Sequence, residues 1–315
     1  MKKIILILTI ICLAIVACEL QPLPPKIPEY RIGYNGIELA FSIFPEGDIY
    51  ENEDFIVQLD AWNRGGYDTD NMLVVLNWDT GFFITESSGI FELEEEYPVL
   101  HGRSASYPEG EFSTTPTMEF TAKEIFLTDY QRFDFISKLC YEYRTEATLE
   151  ACIGKKTGYR SCNFKELNKG LNLTRGQGAP LAITSVDESI IEIGDKIKPR
   201  FDIVIENKQA GEVFRNPEIY VERFCLGYGI GENILNRFDL VLNLSKAYSY
   251  DSRKNQTNSF TCRPTIPKLE DGIANITCVL DEELEAGPSY VTPLVIELVY
   301  GYTDKVQKGL TVRRS

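Results

Sequence analysis

Most active sites are assembled from histidine, cysteine and paired carboxylates, and this chain is poor in the first. His101, within His101-Gly102-Arg103-Ser104, is its only histidine. A lone imidazole could serve a Ser-His-Asp arrangement, but no G-x-S-x-G elbow or comparable serine setting accompanies it. The eight cysteines contain no C-x-x-C pair, so a Cys/His zinc site has few ligands to draw on. Gly227-Tyr228-Gly229-Ile230-Gly231 approaches a dinucleotide loop, yet Glu232 stands where the last glycine is required and no βαβ pattern surrounds it, which makes it a turn. With 47 acidic residues, carboxylate pairs for glycoside hydrolysis are unavoidable and therefore uninformative. Asp68, Asp70, Asn71 and Asp79 could offer oxygens to Ca²⁺, though the complete loop signature is absent. The expectation is a chain with no catalytic residues, no metal and no cofactor.

The compartment is written in residues 1–18. Lys2 and Lys3 precede an apolar run from Ile4 to Ala17, and Cys18 follows. That is the layout of a secretory signal. At about 1.5 Å per residue the run spans roughly 21 Å, short of the ~30 Å that a stable membrane helix must cross. Ile15-Val16-Ala17-Cys18 resembles the lipobox of lipoproteins, whose cysteine becomes the lipidated first mature residue. The alternatives are an uncleaved helical anchor and plain secretion.

Cleavage before Cys18 leaves 298 residues, enough for two domains. The formal charge of −15 becomes −17 once Lys2 and Lys3 leave with the signal. Such a surface repels phosphate backbones, which argues against nucleic-acid binding. Residues 19–35 form a stalk in which Pro22, Pro24, Pro25 and Pro28 favour an extended polyproline path.

From Gly36 onward the hydrophobic pattern has period two. Ile37, Leu39, Phe41 and Ile43 begin it, Phe55 to Ala61 continue it, and Met72 to Trp78 gives a third strand. Residues 85–116 read as a long irregular loop, carrying Glu92, Glu94, Glu95 and Glu96, in which short strands near 89–93 could lie. Ile136 to Cys152 reads as one long strand with Leu139, Tyr141, Tyr143, Thr145, Ala147, Leu149 and Ala151 on one face. Residues 169–180 are a Gly-rich linker, and alternation resumes at Leu181 and runs to the last strand, Leu294 to Tyr302. The expected fold is all-β, with two tandem immunoglobulin-like sandwiches at 36–168 and 181–315.

Two motifs recur in the same order. Strands end in Asn-basic-Gly near Asn63 and in a similar turn at Asn207, and Leu-x-Tyr-x-Tyr occurs at Leu139–Tyr143 and Leu298–Tyr302. Offsets of 144 and 159 residues point to a duplicated unit. The tyrosines read as sheet-packing residues rather than ligands.

In an exported chain the six cysteines after Cys18 read as three disulfides. On a straight strand Cys140 and Cys152 lie about 40 Å apart and cannot bond to each other. Local pairing favours Cys152 with Cys162 across a glycine-rich turn, and Cys262 with Cys278 across a Pro/Gly connection. Cys140 and Cys225 remain, either as a bridge between the halves or as two buried thiols. Four sequons, at Asn172, Asn243, Asn255 and Asn275, are compatible with glycosylation outside the cell.

The strand-to-Asn turns, the run Gly176-Gln177-Gly178-Ala179-Pro180-Leu181-Ala182-Ile183-Thr184 and the cysteine spacing resemble tandem CARDB-like, immunoglobulin-like domains of uncharacterised archaeal cell-surface proteins. That resemblance implies a surface-exposed accessory or adhesive role and supplies no catalytic residues. The leading expectation is a non-enzymatic protein, held to the membrane through its N-terminal lipid or helix and presenting loops to a protein or glycan partner. The alternatives are a solute-binding or assembly subunit of an envelope complex and, after that, a glycan-active enzyme. If Cys18 carries the anchor, Cys18→Ser releases the protein from the membrane fraction; a mutant that stays bound at wild-type level with unprocessed mass would indicate a helical anchor instead.

Overall fold

The computed structural model describes residues 29–69, 71–92, 99–126, 128–155, 162–229, 231–245 and 259–315. Cys18, most of the stalk, Asp70, Glu94 to Glu96, Ile230 and Asn255 lie outside the described residues. The first half supplies β1 (Ile37–Phe44), β2 (Ile49–Tyr50), β3 (Asp54–Asn63), β4 (Met72–Asn77), β5 (Phe83–Ile84), β6 (Ile90–Glu92), β7 (Phe112–Thr114), β8 (Met118–Ala122) and β9 (Tyr130–Ile153). A one-turn helix, α1 (Phe164–Leu167), precedes the second half. That half holds β10 (Leu181–Ile193), β11 (Lys196–Asn207), β12 (Glu212–Phe214), α2 (Pro217–Cys225), β13 (Asp239–Leu244), β14 (Phe260–Arg263), β15 (Ile273–Leu280), β16 (Leu284–Glu285) and β17 (Tyr290–Arg313).

The protein is predominantly β, as its alternation predicts. Two sheets, β1-β3-β8-β5 with β7 beside β3, and β10-β11-β15-β14 with β16 beside β11, face a third sheet ordered β12-β17-β9-β4-β6. β13 and β2 also pair with β17 in that third sheet.

The third sheet belongs to both halves. β9 and β17, each 24 residues long, pair antiparallel from Tyr130↔Arg313 to Ile153↔Tyr290. At about 3.3 Å per residue the ladder runs roughly 75 Å. Odd-numbered residues of β9 face inward and stay buried from Phe133 to Ile153, whereas Arg132, Asp134 and Ile136 on the other face are exposed. This is the face predicted for residues 139–151, and the strand extends beyond the predicted limits at both ends.

The strand ends cross over. The end of β17 buries Leu310 and Val312 and pairs in parallel with β2 of the first half, Val312↔Ile49. The end of β9 lies against the second half: the Thr145 hydroxyl donates to the Leu181 carbonyl, and the Glu188 carboxylate accepts from Cys152 N at 3.0 Å. The division at 169–180 is therefore not a division of the sheet. That segment is itself fixed, with Gly33 N on Arg175 O, Gly178 N on Gly33 O and Gly66 N on Gly178 O.

Alternation does not announce α2. Asn216, at φ 54°, turns the chain into it, and Pro217 opens it where a missing N–H costs nothing. Val221, Phe224 and Cys225 lie on the outer face of the third sheet with Leu73, Val75, Cys140 and Phe214. Disulfides join Cys140 to Cys225, Cys152 to Cys162 and Cys262 to Cys278. The first ties a helix of the second half to a strand of the first. Spanning 85 residues, it removes the most chain entropy of the three, about 4–5 kcal/mol in the loop-closure model.

Because β17 completes the first half, deleting residues 304–315 should damage that half and not its own. Loss of the Leu310 and Val312 burial costs about 3–6 kcal/mol before the ladder is counted. Limited proteolysis of the truncated protein should cut first within residues 37–135; cleavage confined to 181–289 would contradict the crossed arrangement.

Candidate interaction surface

Both Asn turns are built by the same atoms. Asn63 donates from Nδ2 to Tyr67 O at 2.8 Å, and its Oδ1 accepts from Gly65 N at 3.2 Å and from the Tyr143 hydroxyl at 3.1 Å. Asn207 donates to Gly211 O at 2.8 Å, and its Oδ1 accepts from Gln209 N at 3.2 Å and from the Tyr302 hydroxyl at 3.2 Å. Those tyrosine oxygens in turn accept from Tyr67 N and Gly211 N. The preceding tyrosine of each motif receives the first amide of its half's opening strand, Ile37 N on Tyr141 and Leu181 N on Tyr300. The recurring motifs are thus two copies of one joint, and the tyrosines are structural.

The copies differ in what is attached to them. In the first, the joint holds residues 99–112. Asn63 Nδ2 also donates to Leu100 O, and Asn63 N to Glu111 O. Glu111 N donates to His101 O, Arg103 N to Gly65 O, and Gly102 N to the Asp68 carboxylate. Gly110, at φ +78°, packs so closely that a Cβ would come within 1.8 Å of Asn63 O. Within the stretch 85–116 read from sequence as an irregular loop, residues 99–112 are consequently held in place, and the stretch contains β6 and β7.

An aromatic and charged rim results. Trp62 on β3 faces Phe112 on β7, their rings edge-to-face at 5.8 Å, and the Arg64 guanidinium covers Trp62 at 3.2 Å. Trp62 Nε1 donates to Glu109 O, and Arg64 pairs with Glu109 at 3.3 Å. His101 stacks on Tyr107 at 4.7 Å and sets Nδ1 3.2 Å from Asp68. Phe112 is 51% exposed and Tyr107 38%. Trp62 and His101 are engaged on both counts; Phe112 and Tyr107 offer free apolar area beside fixed charges. The Ser104 hydroxyl accepts from Tyr107 N.

The other sequence candidates are dispersed. Asp79 accepts from Gly81 N, and Asp68 is committed to Gly102 and His101. No cluster of three or more metal-ligating side chains occurs among the described residues. Asn172, Asn243 and Asn275 are all exposed. No described helix is long and apolar enough to cross a membrane. An open groove of about 970 Å³ lies on the β1-β3-β8-β5 sheet, with Phe44 and Ile84 exposed at its margin. Alternation alone did not reveal the rim, because Trp62 and Phe112 meet only through the β3–β7 register.

Burial pushes the Tyr67 hydroxyl up to about 12 and holds Tyr141, Tyr143, Tyr300 and Tyr302 above the ordinary phenol range. An unfolded tyrosine ionises near 10, so the unfolded chain releases these protons first. The stability they confer is complete below pH 10 and falls as pH rises toward 12 and beyond. Absorbance titration at 295 nm should show this group ionising together with loss of the near-ultraviolet dichroism; early, independent ionisation would contradict the burial.

No family model matches the chain, and no curated protein matches it. Among solved structures it is similar to the B domain of a biofilm associated protein, at 9% identity over 88% of this chain and 74% of that one, with a TM-score of 0.15. It is also similar to a BSP domain of a biofilm associated protein, at 9% identity over 90% of this chain and 52% of that one, with a TM-score of 0.16. Likeness at that level fixes neither fold nor role.

Proposed function

We propose that this chain is an anchored extracytoplasmic surface protein whose rigid frame presents the 99–112 loop to a protein or glycan partner. The observation that carries the proposal is the exposure of Phe112 and Tyr107 on a loop tied down by Asn63, since ordered aromatic area loses little entropy on binding. Three disulfides support a location outside the cytosol, where such bonds persist. The leader and Cys18 support anchoring, and the resemblance to tandem CARDB-like domains agrees with both. A second reading, a solute-binding or assembly subunit, draws on the groove beside Phe44 and Ile84.

Phe112→Ala with Tyr107→Ala should lower retention of the protein on native envelopes by at least about tenfold, a loss of roughly 1.4 kcal/mol or more, with an unchanged melting temperature. Crosslinking pull-down measures it. Unchanged retention, combined with loss in Phe44→Ala/Ile84→Ala, would transfer the function to the groove.

A further inference from the structure

β9 and β17 are equivalent strands whose outer edges are finished differently. Beyond β4, side chains meet the outward backbone of β9 at Glu146, Glu150 and Cys152, though not at Arg144 and Thr148 between them among the described residues. The Tyr67 hydroxyl accepts from Glu146 N and donates to Glu146 O, the Asn168 carboxamide does the same for Glu150, and Glu188 takes Cys152 N. The corresponding part of β17 lies between β12, paired at 301–303, and β2, paired at 312–313. Glu51 N donates to Arg313 O, so the odd-numbered residues here aim their N–H and C=O groups away from β9. Lys305 N is taken by the Asp304 carboxylate at 2.8 Å. The outward groups of Gln307 and Gly309 and the outward N–H of Thr311 meet no partner among the described residues, while the Thr311 carbonyl belongs to the parallel ladder with β2.

Positive charge flanks this open edge in a chain of net charge −15. Lys305 stands directly opposite Lys138, like on like. Half-burial and the Lys305 charge hold Lys138 below the usual lysine range, and Glu212 opposes them. Lys308 is exposed, and the Arg132 guanidinium lies over Gly309, where a Cβ would come within 2.5 Å of it. Asp134 and Asp304 are the nearby anions of the two strands. None of Arg132, Lys305 and Lys308 has a carboxylate within ion-pair distance among the described residues.

We propose that the Asp304–Thr311 edge of β17 is a strand-addition site for an extended acidic peptide of a partner protein. The gap is eight residues, about 26 Å, and is closed at both ends by paired strands. A second copy cannot enter it through the same edge, because its own β12 and β2 would meet those of the first. A slender segment can, with main-chain bonds giving affinity and Lys305 and Lys308 selecting acidic side chains. The same lysines repel basic strands and blunt the edge against aggregation. This site is independent of the 99–112 loop.

The test uses the full chain in detergent and a fluorescein-labelled octapeptide alternating Glu and Val. Saturable anisotropy is expected, together with slowed hydrogen exchange at the amides of Gln307, Gly309 and Thr311. The exchange measurement needs only the wild-type protein. Lys305→Glu with Lys308→Glu should weaken binding by about tenfold or more, and a peptide N-methylated at alternate residues should not bind. Absence of saturable binding, saturation without protection of those amides, or equal binding of the N-methylated or a Lys/Val peptide would each overturn the proposal.

Discussion

The antiparallel pairing of β9 with β17 is the constraint on which the other features depend. It joins residues more than 130 positions apart in sequence, and it gives each half of the chain a strand end from the other. The first half cannot bury Ile49, Phe133 and Phe135 completely without the end of β17. The second cannot fix Leu181 without Thr145 on β9. Such contacts carry a considerable loop-closure cost, and the Cys140–Cys225 bond holds them once made.

The ladder also has the symmetry of a dimer. Glu142 faces Gly301, and the 159 residues between them equal the offset between the two Leu-x-Tyr-x-Tyr motifs. Each residue of that pair is therefore the other's equivalent, and a local twofold relates the strands. Tyr141 consequently faces Tyr302, and Tyr143 faces Tyr300. The arrangement is that of an isologous interface within one chain, where a patch meets its own copy. At its centre the tyrosine hydroxyls accept the amides that open β1 and β10, so the two outer sheets are aligned to the shared one by the same bonds.

Much of this was legible because period-two alternation is local. It marks the β class, the face of the long strand and both members of the duplicated motif. The strand pairing was not legible, since β17 alternates in the same way whether it meets β9 or any other strand; only register, a long-range property, selects the partner. The tyrosines were readable as packing residues, but their bonds to Asn63 and Asn207 require the fold. The rim of Trp62, Arg64, Tyr107 and Phe112 was hidden for the same reason. Glycines, acids and prolines make residues 85–116 look irregular, and the order of 99–112 within them comes from bonds to an asparagine turn more than twenty residues earlier. α2 escaped because its nine residues offer only a short apolar face, stabilised by the outer side of a sheet rather than by its own pattern.

Duplication separates what the frame needs from what has been added to it. The Asn–Tyr joints are repeated almost bond for bond, so they are requirements of folding and carry no information about a partner. In the first copy Asn63 N donates to Glu111 O of the 99–112 loop, in the second Asn207 N donates to Gly272 O, and α2 covers the outer face near the second copy's β12. The edge of β9 is met by Tyr67, Asn168 and Glu188 at Glu146, Glu150 and Cys152, whereas the matching edge of β17 is open at Gln307 and Gly309 between two short strands. Where the two copies repeat the joint and differ in their exposed attachments, the joint itself does not require those attachments. The physical reading of function accordingly concentrates on the departures from internal symmetry, and in this chain both main departures, the aromatic rim and the open edge, lie on the first sandwich.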